Sequence, residues 1–154
     1  KLYVKRENDL KYVVLGHECD SAAVCVNEGR SQSARRLWRL FDEHFVWYEA
    51  AVEIESAFAR LERESRLVFS ASAVARKQFA KAESNWISVE TTSRAIELAC
   101  TFPRRYGLRA LDSLQLAAAL IWCREHPKSK DFVSGDARLL KAADAVGFTV
   151  HILS

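Results

Sequence analysis

Apolar and polar positions along the chain alternate between short strand-like runs and longer stretches of helical period. Leu37, Leu40 and Phe41 share one helical face behind Ser31 or Ser33, which predicts a helix over residues 31–44 with a serine N-cap. Residues 45–48 are aromatic or β-branched and predict a strand. Val52, Ile54, Phe58 and Leu61 recur at helical spacing among Glu and Arg, predicting a helix over 51–64. A further helix over 71–84, a short extended piece over 86–89 and a helix over 92–102, stopped by Pro103, follow. Beyond Tyr106-Gly107, residues 111–124 are apolar on nearly every side and predict a buried helix, with Pro127 ending that region. Residues 131–134 then predict a buried strand, 137–146 a helix stopping at Gly147, and 148–153 a last strand. Residues 9–29 carry the weakest pattern: 12–15 and 22–26 either pair as a hairpin or extend neighbouring helices. Strands alternating with helices imply an α/β domain with a parallel sheet covered on both faces. Ligands of such sheets gather at the carboxyl ends of the strands.

Composition narrows this picture. A chain of 154 residues with 49% apolar and 28% charged residues suits one domain with a real core. Its longest apolar run, 116–123, is far short of the roughly 20 residues that span a membrane. The start carries no secretory pattern, and a cytoplasmic setting is expected. The net charge of +3 is too mild to imply nucleic acid by itself, but Arg35, Arg36 and Arg39 cluster, as do Arg104, Arg105 and Arg109. Such clusters are either solvated helix faces or phosphate-binding surface. Cys19, Cys25, Cys100 and Cys123 form no C-x-x-C pair, and His17-Glu18-Cys19 has no second ligand pair at zinc spacing. Cys100 and Cys123 read as small buried hydrophobes. The chain has no methionine, even at position 1, from which a shortened or processed chain is expected.

Three carboxylates are the candidate chemistry. Asp112, with Gln115 three residues later, has the form of an aspartate capping box, and Asp136 stands between a strand and a helix as an N-cap does. Both are also placed where helix N-termini converge on the sheet edge, and there the helix dipole favours an ionised carboxylate. Carboxylates brought close together repel unless a cation sits between them, and oxygen-only ligands suit Mg²⁺ or Mn²⁺. Glu53, in the first turn of its helix, is the third member, although Glu53, Ala57, Arg60 and Glu64 also read as a solvated stripe. Glu49 and Glu55 stand nearby, and spacing does not choose between them.

Val52-Glu53-Ile54-Glu55-Ser56-Ala57-Phe58-Ala59-Arg60, then Leu108-Arg109-Ala110-Leu111-Asp112-Ser113-Leu114-Gln115-Leu116-Ala117-Ala118-Ala119, then Phe132-Val133-Ser134-Gly135-Asp136-Ala137-Arg138-Leu139 resemble the successive motifs of PIN-domain ribonucleases. The likeness is nearest to the VapC-type toxins of toxin–antitoxin pairs, and Lys1-Leu2-Tyr3-Val4-Lys5 resembles that family's first helix. The resemblance implies a single three-layer α/β/α domain over residues 1–154 and a metal-dependent endoribonuclease site of four acids. Glu53, Asp112 and Asp136 match the second, third and fourth acids. The first acid and the central strand that carries it have no counterpart, so the sheet is expected to lack its first, central strand. Residues 9–29 are expected to be an insertion.

For the complete protein the resemblance implies phosphodiester hydrolysis assisted by Mg²⁺ or Mn²⁺, which polarises the phosphoryl oxygen and lowers the pKa of an attacking water. It makes Asp112 and Asp136 metal ligands and gives Glu53 a second metal or a water, with Arg109 and Arg104 on RNA phosphates. It also implies an antitoxin partner and a homodimer, with Trp38, Phe41, Phe45 and Trp47 either lining those surfaces or packing in the core. With only three acids, this chain is expected to be impaired. The alternative reading is therefore a PIN-like module that binds RNA or protein without cleaving it; a metal-dependent phosphatase or DNA nuclease is a third.

Overall fold

A computed structural model describes residues 12–15, as backbone, and residues 39–152. The chain runs β1 (Tyr12–Leu15), β2 (Glu43–Trp47), α1 (Ala50–Arg63), α2 (Phe69–Glu83), β3 (Trp86–Val89), α3 (Ser93–Ala99), α4 (Phe102–Tyr106), α5 (Ala110–Trp122), β4 (Asp131–Ser134), α6 (Ala137–Val146) and β5 (Thr149–Ile152). All strand pairs are parallel, and the order across the five-stranded sheet is β3-β2-β1-β4-β5. This is an α/β fold, as expected.

The expectation about the sheet's centre is corrected. Its middle strand is Tyr12–Leu15, with Val13 opposite His44 on one side and Asp131 on the other. These four residues fall within the segment read as an insertion. The remainder of 9–29, including 22–26, His17, Cys19 and Cys25, lies outside the described residues, as do Lys1–Lys5, Arg35, Arg36 and Trp38. The predicted helix over 31–44 also ends too late. Residues 31–38 are not described, but Glu43 and His44 already belong to β2. A β-branched and aromatic run with two parallel partners outweighs helical spacing there.

Side chains on the two faces of the sheet divide by the period of two. Phe45, Trp47, Val89 and Phe132 pack on one face with α3, α5 and α6, in a cluster that includes Ala95, Leu116, Leu120 and Leu139. Trp122 reaches Phe45 with ring centroids 4.4 Å apart. Trp86 is the register partner of His44, on the opposite face, and meets Phe79 of α2 edge-on at 5.4 Å. Phe79, Phe58, Ile54, Leu67 and Ala75 form the smaller core of the α1–α2 hairpin. His151 Nε2 lies 2.6 Å from Asp131 Oδ1, tying β5 to β4, and the Phe41 ring meets that imidazole in a T-shaped arrangement.

Pro103 does not stop a helix. The helix before it is capped by Thr92, whose hydroxyl accepts from the Ala95 amide, and ends at Ala99; Pro103 then stands in the first turn of the separate helix α4. A first-turn proline loses no hydrogen bond there and has a helix-ready φ. Gly147, at φ +111°, closes α6 as the sequence suggested. Cys123 is buried, with its thiol pushed up by desolvation, but Cys100 is exposed at the end of α3, against expectation. Phe45 and Trp47 are core residues, which removes them from the candidate partner surface.

Candidate active site

Connectivity sets the edge at which the candidate residues stand. α1 leaves the carboxyl end of β2 and α6 leaves that of β4, so both begin at the same edge of the parallel sheet. α5 leads into the start of β4, so its C-terminus belongs at the opposite edge. Thirteen residues at about 1.5 Å each carry its N-terminus back roughly 20 Å to the carboxyl edge. The chain runs outward from β1 to β2 and β3, then resumes on the other side of β1 with β4 and β5. The reversal falls at β1 and β4, where open α/β sheets place their ligand crevice.

Each sequence-predicted carboxylate stands at a helix start on this edge. Asp136 is the N-cap of α6: its Oδ1 accepts from the Arg138 amide at 2.6 Å and the Leu139 amide at 2.9 Å. Its own amide donates to the Ser134 hydroxyl at 3.0 Å. Asp112 is not the first residue of its helix, as the capping-box spacing with Gln115 suggested. The N-cap is Arg109, in extended backbone, and Asp112 is the third helical residue, with Oδ2 accepting from the Arg109 amide at 3.3 Å. The acid thus fills the far half of a capping box that begins at Arg109. Asp112 is only 4% exposed on a helix whose residues 115–120 are all buried. Glu53 sits in the first turn of α1, half-buried, with Oε2 shielded from solvent. The positive end of a helix dipole faces all three carboxylates.

Sequence reasoning missed a polar chain at the same edge. The indole N–H of Trp47 donates to Thr91 Oγ1 at 2.9 Å, and the Thr91 hydroxyl donates to the Glu49 carboxylate at 3.2 and 3.4 Å. Glu49 is the N-cap residue of α1, and its carbonyl accepts from the Glu53 amide at 3.3 Å. This chain fastens the β2–α1 and β3–α3 connections to one another and fixes where α1, with Glu53, begins. An adjacent Trp-Tyr-Glu in Trp47–Glu49 was its only local signal.

The two arginines are placed less tightly. Arg109 is exposed at the start of α5, and Arg104 is exposed in the last turn of α4. The donor set offered to a metal is carboxylate oxygen, which suits a hard cation such as Mg²⁺ or Mn²⁺. Among the described residues, however, no three His, Cys, Asp or Glu side chains gather closely enough to hold an ion. Glu53, Asp112 and Asp136 therefore fit such an ion in chemistry and share an edge, without closing a three-ligand site.

No protein-family model matches the chain, and no curated protein does. Among solved structures it is similar to the crystal structure of PAE2754 from Pyrobaculum aerophilum, with a TM-score of 0.58 at 16% identity. That likeness covers 92% of this chain and 89% of the other. At this identity it speaks for the fold alone. Among the described residues, no helix is long and apolar enough to cross a membrane.

Proposed function

We propose that the chain is a PIN-like domain with a three-layer α/β/α arrangement and the chemistry of a metal-dependent endoribonuclease, the toxin of a VapC-type toxin–antitoxin pair. The observation that carries this reading is that the acids of three PIN-like motifs, far apart in sequence, all stand at helix starts on the carboxyl edge of one parallel sheet.

In this reading Asp112 and Asp136 would hold Mg²⁺ or Mn²⁺, and Glu53 would serve a second ion or a water. A bound ion supplies positive charge against the phosphate and a lowered pKa for water. The protein's part is orientation. Asp136 is fixed by two amides of α6, and Asp112 is held on a helix immobilised by its apolar surroundings. The Thr91–Glu49 bond sets the start of the helix that carries Glu53. Arg109 and Arg104 take flanking RNA phosphates and offset the repulsion between substrate and acids. The reading includes a cognate antitoxin, a homodimer and a cytoplasmic setting.

A specific observation favours a second reading. The Oδ1 of Asp136 and the Oδ2 of Asp112 each accept from amides of their own helix starts, which is sufficient work for a purely structural acid. The domain is then an RNA- or protein-binding module. Asp136→Asn separates the two, because asparagine caps helices as well as aspartate does. A ribonuclease loses Mn²⁺-dependent cleavage of labelled RNA with its melting temperature unchanged, whereas a binding module has no cleavage to lose and keeps its RNA affinity.

A further inference from the structure

The turn between α4 and α5 concentrates positive charge without local compensation. No acid occurs between Glu97 and Asp112, while Arg104, Arg105 and Arg109 all lie in that interval and all are exposed. None of the three makes an ion pair with a described residue. Three other arginines are paired: Arg76 holds Glu55 and Glu62, Arg94 holds Glu97 and Glu125, and Arg66 holds Glu64. What sets the turn apart is that its three arginines fall together in a stretch without an acid. Gly107, at φ +68° with open space where a Cβ would lie, turns the chain sharply between the two helices, with Arg104 and Arg105 just before the turn and Arg109 just after it.

One of them is also stacked. The Arg105 guanidinium lies over the Tyr106 ring, 5.1 Å from its centroid. Tyr106 in turn packs on Phe102, a buried core residue, at 5.6 Å. The aromatic ring is thus anchored from below and carries a planar cation on an exposed side chain. A flat, cationic surface of this kind rewards a nucleobase, which stacks on arginine planes and aromatic rings when it is unpaired.

We infer that the α4–α5 turn is a docking ridge for single-stranded RNA, in which Arg104 and Arg109 take phosphates and Arg105, backed by Tyr106, stacks an unpaired base. The inference deepens the ribonuclease reading and takes from it the choice of RNA as the polyanion. It adds a preference: single strands engage the ridge through a base, whereas a duplex of equal charge reaches only its arginines.

The test is fluorescence anisotropy with a labelled single-stranded RNA of roughly 12 nucleotides, in EDTA so that binding is read without cleavage. Arg104→Ala and Arg109→Ala are each expected to weaken binding and to reduce the slope of log affinity against log salt by about 0.7. Arg105→Lys keeps the charge and the salt slope but is expected to weaken single-strand binding about five-fold or more, leaving duplex binding unchanged. All three residues are exposed, and thermal melting checks that each variant folds. Wild-type single-strand affinity in Arg105→Lys overturns the inference, as does tighter binding of the ridge to anionic phosphatidylglycerol vesicles than to RNA. RNA binding through these residues without any metal-dependent cleavage keeps the inference and removes the ribonuclease reading. Cleavage that is indifferent to all three substitutions does the reverse.

Discussion

The α1–α2 hairpin and the helix α5 are held in opposite ways, and the contrast tells which polar residues deserve a functional reading. α1 and α2 share a small buried cluster around Phe58, and outside it Arg76 bridges Glu55 at 3.0 Å and Glu62 at 2.6 Å. Ser72 joins this network through both Glu62 and Arg76, and Arg76 also lies over the Phe58 ring at 5.2 Å. Arg76, Glu55 and Glu62 are thus occupied with holding the two helices together. Among the described residues, no ion pair of this kind fastens α5 to a neighbouring helix. α5 is buried along residues 116–120 by apolar contact, so a carboxylate in its first turn stands out against that background.

The largest effect expected from breaking this contrast is on packing. Phe58 is fully buried, and Phe58→Ala is expected to cost about 3–5 kcal/mol, with Leu116→Ala in α5 costing about 2–5 kcal/mol. Urea unfolding measures both. A Phe58→Ala loss below 1 kcal/mol would show that the hairpin is held by its charges instead.

Next in size is the half-buried polar chain at the sheet edge. Thr91→Val leaves the indole N–H of Trp47, a residue only 2% exposed, without its acceptor and is expected to cost about 1–3 kcal/mol. Thr91→Ser restores the bond and most of the stability. Equal melting temperatures for the Val and Ser variants would remove the chain from the account.

Removing the α6 cap by Asp136→Ala is expected to cost about 0.5–2 kcal/mol, and Asp136→Asn close to nothing. The smallest effect belongs to the exposed network. Hydrogen bonds from Ser72, then Arg76, hold the Glu62 carboxyl below its ordinary value of 4.5. A depressed carboxylate contributes stability above its unfolded pKa and loses it as pH falls through the lower folded pKa. Wild type should therefore lose a small increment over Glu62→Gln at neutral pH when acidified below 4.5, and added salt should shrink that increment. A difference between the two proteins that does not change with pH would contradict this assignment.

Local pattern made much of the architecture legible. Residues 86–89, 131–134 and 137–146 form the elements that their periodicity and turn residues announce. Tyr12–Leu15 was legible only as half of a possible hairpin or as a helix extension, and its place in the middle of the sheet was hidden because its partners, β2 and β4, lie far along the chain. The Trp47–Thr91 bond was hidden for the same reason, since it joins residues 44 apart. Asp112 was legible as a helix-start acid but was placed as the cap itself. Arg109 already occupies the extended position before the first turn. Cys100 shows the limit of composition: an apolar neighbourhood in sequence still left it on the exposed end of a short helix.

The most direct test of the central proposal is cleavage of labelled single-stranded RNA in Mg²⁺ or Mn²⁺ by the complete wild-type protein and by its Asp112→Asn variant. Substituting even a group that only supports a metal ligand typically costs 10- to 100-fold, so losing a ligand itself should cost about 100-fold or more. The account predicts metal-dependent cleavage that EDTA abolishes and Asp112→Asn reduces by at least that factor, with RNA binding retained. Cleavage that persists in Asp112→Asn or in EDTA, or no cleavage by wild type in either metal, would contradict it.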